Sequence, residues 1–390
     1  MKRILVNDRC LFRGGTGVSM YLRNVLAHWP QDADFRPVGF CADCSKLWRK
    51  LIASPPASPG PSLVLRPLKD LGRPGRTPRS PSRWVRRGIQ KLYSGSLTRE
   101  FRRGGYCAYF EPNSLAIPCG GPTVTTLTDL SVYEYPQWHP LDRVAQWKAN
   151  LGTSVATTNR WIVYSQFVKG RMVELLGVEP ARITVAPLAA RPLPYPDPAE
   201  LARLAGAAAL PIRYLLHLGT LEPRKNLGVL LNAWATLAPA ERENYRLIFA
   251  GAPGWGMQEF WRSLVEHPMA GEVLMTGYIS DASVALLVAG ALAVLVPSRY
   301  EGFGLPQLEA MACGTPAICS TAKALQEVVA DPTGMIDPDD TAGWAQAIRR
   351  AMTDEQWRLD SRRTGLARAL EFSWDRTAQA HVEVFADLMK

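Results

Sequence analysis

The sequence is short of the features that mark secreted, membrane-spanning and metal-holding chains. Its longest apolar run, Ala282 to Pro297, falls below the ~18–20 residues that span a bilayer, and a glycine interrupts it. No transmembrane helix is predicted. The opening MKRILVND turns polar too soon for a signal peptide, so the expectation is a cytoplasmic protein. Cysteine is sparse, at positions 10, 41, 44, 107, 119, 313 and 319. An odd, scattered set reads as reduced thiols and excludes a disulfide framework. Cys41-Ala-Asp-Cys44 has CxxC spacing, but no second pair completes a zinc site, so it reads as two packed thiols.

Acid is scarce in the first part of the chain. Residues 1–110 carry 21 Lys and Arg against 6 Asp and Glu, a net of +15, while the remainder carries 24 against 29 and the whole chain +10. This asymmetry directs the first part toward an anionic partner: a phosphate-bearing substrate, an acidic membrane surface or nucleic acid. Nucleic acid is the weakest of the three, because the arginines cluster in a proline-rich stretch without a nucleic-acid-binding motif.

What is present is the material of two folded units. At 390 residues, 47% hydrophobic and 21% charged, the chain fits two domains of roughly 150–200 residues each. Strand-length apolar runs recur at Arg3–Asn7, Arg36–Phe40, Ala108–Glu111, Thr123–Leu127, Trp161–Tyr164 and Ile183–Ala186. They resume at Tyr214–Leu218, Arg246–Ala250, Val273–Thr276, Ala293–Val296 and Ala317–Cys319. Helix-length segments lie between them, which predicts α/β domains with parallel, doubly wound sheets. Pro187 to Pro198 is too rich in proline for helix or central strand and reads as the interdomain connection. The run Asn226–Leu237 and the last segment, Trp374–Met389, carry helical periodicity, the latter with Ser373 and Asp375 at its start. Pro55 to Pro81 holds 8 prolines in 27 residues, and the following RWVRRGIQKLYSGSLTREFRRGG interleaves apolar residues with cations. That piece reads either as a basic amphipathic helix on an anionic membrane or as a solvated helix of the first domain.

Three motifs carry chemistry. In ILVNDRCLFRGGTGVSMYL a strand leads through Gly14-Gly15-Thr16-Gly17 into a helix from about Val18, where backbone can approach a ligand. It fails as a dinucleotide fingerprint, since Met20 stands where Gly or Ala belongs and no suitable acid follows about twenty residues on. In YLLHLGTLEPRKNLGVLLNAW, Arg224 and Lys225 fall beyond the carboxyl end of a strand, where open α/β sheets bind ligands and two cations suit a diphosphate. His217, inside that strand, reads as a packed residue. In SRYEGFGLPQLEAMACGTP, from Ser298 to Pro316, a buried strand ends and glycines let the loop turn before a short helix around Pro306–Ala312. Glu301 and Glu309 can then face one cleft. A carboxylate accepts the hydroxyls of a ribose or a sugar diol.

Taken together these motifs resemble the retaining GT-B glycosyltransferases of family 4, the glycosyl transferases group 1 superfamily. The likeness rests on GTLEPRKN, the Glu301-x7-Glu309 pair in EGFGLPQLEAMACGTP, FSWDRTA near the end, the glycine loop at residues 14–17 and Thr128-Asp129-Leu130. It implies two Rossmann-like domains facing a central cleft: an acceptor-binding domain at 1–190 and a nucleotide-sugar domain at 191–371. A final helix, 372–390, would pack back on the first domain. By resemblance, Arg224 and Lys225 neutralise the donor diphosphate, helped by backbone at Gly15 and at Phe303, Gly304 and Leu305. Glu309 holds the ribose, Glu301 positions the sugar, Tyr278 edges the base pocket and Asp129 serves the acceptor side. Many relatives have His-Asp where this chain has Thr128-Asp129.

The implied reaction is transfer with retention, with no required metal or cofactor, in assembly of a surface polysaccharide, lipopolysaccharide or related glycoconjugate. GDP-mannose is the first expectation for the donor, with UDP- and dTDP-sugars open. The acceptor is a glycan or lipid-diphosphate-linked sugar, and peripheral contact with the inner membrane face is left open. Two alternatives are carried: a non-transferring nucleotide-sugar enzyme of epimerase type, and a basic nucleic-acid-binding protein.

Overall fold

Apolar runs too short for helices become the strands of two separate sheets. The computed structural model describes residues 1–12, 17–40, 65–70, 83–191, 199, 213–254, 258–329, 331 and 334–390. The first sheet comprises β1 (Lys2–Val6), β2 (Phe35–Gly39), β4 (Ala108–Glu111), β5 (Thr123–Leu127), β6 (Arg160–Val163) and β7 (Ile183–Val185). These run in the order β2-β1-β4-β5-β6-β7 with every neighbour parallel. The second sheet is β12-β11-β8-β9-β10-β3. It is built from β8 (Tyr214–Leu218), β9 (Arg246–Ala250), β10 (Val273–Gly277), β11 (Ala293–Val296), β12 (Ala317–Cys319) and the two-residue β3 (Arg66–Pro67).

Parallel strands need crossovers, and helices on both faces leave the central strands no solvent side. β5, β8 and β11 are buried at every residue. In each sheet the winding reverses once: between β1 and β4 in the first, and between β8 and β11 in the second. Loops leaving the carboxyl ends of strands on either side of such a reversal part and form a crevice, and this feature positions the site.

β3 crosses between the units. Arg66 and Pro67 pair antiparallel with Met275 and Leu274, and Leu68 is fully buried in the core of the second sheet. Proline is tolerated there because the strand lies at an edge. The rest of the Pro55–Pro81 stretch and the Cys41–Cys44 pair lie outside the described residues. The basic segment that follows is a helix, Arg83–Arg103, whose Leu97 is fully buried with Tyr106 and Tyr109 beneath the first sheet, while Leu92 is exposed. Among the described residues no helix is long and apolar enough to cross a membrane.

The last helix, Trp374–Leu388, returns to the first sheet. Ser373 caps it by accepting the Asp375 amide at 3.2 Å. Phe385 is fully buried, with Trp29, Phe35 and Phe110 ring centroids 5.9–6.3 Å away. His381 Nε2 lies 2.5 Å from the Tyr21 hydroxyl, which also meets Thr126 Oγ1 at 2.7 Å. The connecting segment is held from the same helix: Trp374 Nε1 donates to the Ala190 carbonyl at 2.8 Å and Thr377 Oγ1 to that of Pro187 at 2.6 Å. Truncating Phe385 leaves a cavity that these aromatics cannot fill. Phe385→Ala is expected to cost about 3–5 kcal/mol in denaturant unfolding, and a loss below about 1 kcal/mol would contradict this docking.

Candidate active site

Two loops meet where the second sheet reverses. β8 ends at Leu218, and Gly219 turns the chain at φ 143° into Thr220–Lys225, whose last three residues form one 3-10 turn. Asn226 then takes left-handed φ and ψ, a conformation asparagine tolerates better than most residues, before the helix Leu227–Thr236. The second loop leaves β11 through Pro297 and Ser298 and ends at the helix Leu305–Ala312. The Arg299 amide donates to the Arg224 carbonyl at 2.8 Å, so the loops are joined through backbone as well as charge.

Glu301 is the joint. Its Oε1 receives Lys225 Nζ at 2.5 Å and Ser298 Oγ at 2.7 Å, and its Oε2 receives Arg224 Nη1 at 2.7 Å. Arg224 Nε pairs in turn with Glu222 at 2.6 Å. Glu301, Lys225 and Glu222 are each 6% exposed. Burial alone would raise the Glu301 carboxyl, but Lys225 and then Arg224 outweigh it and bring it down to about 2. His217 lies below, its Nδ1 3.0 Å from the Leu295 carbonyl oxygen. Burial and then Lys225 push it down to about 4, so it is a neutral packed residue at pH 7.

Glu309, 1% exposed on the short helix, is held differently. Arg191 approaches it with Nε at 2.5 Å and Nη2 at 3.2 Å, and gives Nη1 to Asp281 at 2.6 Å. Arg191 comes from the connection between the domains, and Asp281 opens the helix after the exposed Tyr278. Between the two acids, the amides of Phe303, Gly304 and Leu305 have no backbone acceptor among the described residues and stand at the start of the helix Leu305–Ala312. Gly304 holds φ 125°, where a side chain would be strained. The Phe303 ring is buried against Phe372, so any contact it offers a ligand is through backbone.

The first domain closes over these loops. Ser165 Oγ donates to the Gly302 carbonyl at 2.8 Å, and a Cβ at 302 would fall 2.1 Å from the Thr128 carbonyl oxygen, so glycine permits the approach. Asp129 follows β5 and accepts both the amide and hydroxyl of Ser131 on Oδ1, at 2.8 and 2.6 Å. The structure therefore brings Arg224, Lys225, Glu301, Phe303, Gly304, Leu305 and Asp129 to one crevice. It places Glu309 and Tyr278 on its flank, and Gly15 lies outside the described residues. Sequence reasoning missed Arg191, an arginine in a connecting segment, Glu222, whose role needs the turn to fold, and His139. His139 is 5% exposed and neither ring nitrogen has a hydrogen-bond partner. Among the described residues no cluster of three or more His, Cys, Asp or Glu is arranged to hold a metal.

Because the Glu301 carboxyl titrates below its ordinary value of 4.5, the stability it supplies is complete above that pH and is lost as pH falls toward 2. A Glu301→Gln variant should unfold at lower temperature than the wild type by an amount constant above about pH 5 and shrinking below it. A difference that stays constant down to about pH 2 would contradict the pairing.

Comparison with known proteins bears on the family and the fold. Residues 208–367 match the family described as Glycosyl transferases group 1. O-antigen chain mannosyltransferase B of Escherichia coli is 34% identical over 264 residues, 67% of this chain and 69% of that protein. Sucrose-phosphate synthase from Thermosynechococcus elongatus superposes with a TM-score of 0.72 at 19% identity, covering 100% of this chain and 99% of its own. The Anabaena protein HepE in complex with UDP-glucose gives 0.71 at 18%, covering 99% and 100%. At those identities the two structures speak for the fold.

Proposed function

The chain belongs to the glycosyl transferases group 1 family, mannosyltransferase-like and of GT-B architecture, and from that premise we propose which sugar it moves and how. It is a glycosyltransferase. The donor is a nucleoside-diphosphate sugar, GDP-mannose first, and the acceptor is a glycan or lipid-diphosphate-linked sugar in O-antigen-type polysaccharide assembly. The observation that carries this reading is the buried meeting of Arg224 and Lys225 at the sheet's reversal, beside unpaired amides at a helix start. Two cations and a set of helix-start amides on the loops of one crevice suit a diphosphate. The name of the 34% identical relative supports mannose and O-antigen.

In this reading, negative charge grows on the diphosphate as the bond from the anomeric carbon to its oxygen breaks. Arg224, Lys225 and the 303–305 amides stabilise that charge in a largely buried site, where fixed charges act strongly. The acceptor hydroxyl attacks the face the diphosphate leaves, its proton passing to the departing phosphate oxygen, and configuration is retained. No residue of the chain has to become a covalent intermediate, and no metal is required. Glu301 keeps both cations in register and reaches the donor sugar. Glu309 receives the ribose hydroxyls, each of its oxygens retaining a lone pair beyond the Arg191 contact.

Purified protein given GDP-mannose and octyl α-mannoside should form an α-linked product, with GDP release faster with acceptor than without it. Lys225→Ala is expected to lower kcat by roughly 10²–10³-fold, the scale of losing one transition-state donor. Glu309→Ala should instead raise the donor KM by about tenfold, worth about 1.4 kcal/mol of ground-state binding. A β-linked product would overturn retention. Wild-type rates in a folded Lys225→Ala/Glu309→Ala double variant would overturn the site. Melting-temperature shifts with GDP, UDP and dTDP rank the donor base, since a ligand at 100 times its Kd adds about 2.7 kcal/mol.

A further inference from the structure

Among the described residues, the buried polar atoms without a hydrogen-bond partner include those of His139 and Tyr164, both in the first domain beside the cleft loops, and His217 Nε2 in the second. His139 follows the turn Pro136–Trp138 and is 5% exposed, with neither Nδ1 nor Nε2 hydrogen-bonded. Tyr164, just beyond β6 and also 5% exposed, has an unpartnered hydroxyl and precedes Ser165, which donates to the Gly302 carbonyl. Buried polar atoms are almost always paired, because an unpaired one forfeits its hydration without compensation. Two of them beside the crevice call for a partner that the described residues do not supply.

The surroundings of His139 say where that partner sits. The charges it feels are Arg143 and Asp129 from its own domain and Glu222 and Arg224 from the other. Its loop lies on the seam between the domains, with the Tyr135 ring edge-on to Tyr300 of the second domain, centroids 5.5 Å apart. Burial first, and then Arg143, hold the imidazole below its ordinary value, so it is neutral at pH 7 with one ring nitrogen donating and the other accepting. Its loop is braced rather than loose. Tyr135 and Trp138 stack at 4.3 Å, and the Tyr300 hydroxyl donates to Glu134 at 2.8 Å from across the cleft. Arg171 Nε donates to the same carboxylate at 3.0 Å. A fixed loop carrying an unsatisfied imidazole is arranged for recognition, not for packing.

We propose that His139 is a substrate-contacting residue that grips hydroxyls of a sugar at the reacting centre, donating through one ring nitrogen and accepting through the other. The inference rests on the glycosyltransferase reading above and extends it to a residue outside its motifs. The shared chemistry is a sugar hydroxyl pair, supplied by either the sugar being transferred or the one receiving it.

The test uses the full chain with GDP-mannose and octyl α-mannoside. His139→Leu removes an unsatisfied polar group without leaving a large void, so its melting temperature should equal or exceed the wild type's, and its melting shift with GDP should be unchanged. Transfer kcat/KM should fall roughly 10- to 100-fold, and His139→Gln, which can donate and accept, should recover part of the loss. If the acceptor-independent hydrolysis of GDP-mannose falls in parallel, the contact is to the donor sugar. If hydrolysis is kept while the KM for octyl α-mannoside rises, it is to the acceptor. Transfer within about threefold of wild type in the folded His139→Leu variant overturns the inference alone, as does a melting temperature lowered by about 5 °C or more. A wild-type chain that transfers nothing from any nucleoside-diphosphate sugar overturns the reading beneath it, and this inference with it.

Discussion

A carboxylate shared by two cations is the constraint on which the rest of the site depends. Glu301 sits between Lys225 and Arg224, buried, at the one place where the second sheet reverses its winding. Removing any of the three would strand a charge away from water, and that cost keeps the loops after β8 and β11 in register. The same network explains why the short helix Leu305–Ala312 can present its first amides without a backbone acceptor among the described residues. Its loop is fixed from behind by Glu301 and Ser298 and from the front by Ser165 and Thr128 across Gly302.

The two acids eight positions apart in the sequence end in separate electrostatic settings. Glu301 works inside a cationic pair, whereas Glu309 is held by a single arginine that comes from the connection between domains and also reaches Asp281. Arg191 thus ties Glu309 to the segment that leaves the first domain. The last helix secures that segment from the other side through Ala190 and Pro187. Glu309, the connecting segment and the carboxyl-terminal helix are thus linked through side-chain hydrogen bonds.

Much of this was legible from residue order because the relevant information is local. The long-sheet strands show as short apolar runs bounded by glycine or proline, and each of those runs is found as a strand within a residue or so of its expected ends. Arg224, Lys225, Glu301 and Glu309 sit in motifs whose spacing brings them to loop ends and a helix start. What was not legible depends on distant partners. β3 is two residues in a proline- and arginine-rich stretch, and only its pairing with Met275 and Leu274 makes it a strand. Arg191 looks like an ordinary linker cation until the fold brings Glu309 to it. His139, a histidine before a proline in a loop, gives no periodic or spacing signal, and its buried, unpartnered nitrogens show only in the folded structure.

The central claim is that this ion-pair junction is where the donor diphosphate binds. A crystal structure of the protein with GDP tests it most directly. The account predicts both phosphates within about 3 Å of Arg224, Lys225 or the amides of Phe303, Gly304 and Leu305, with the ribose against Glu309. A nucleotide bound elsewhere, with Arg224 and Lys225 both still directed only at Glu301 and Glu222, would contradict it.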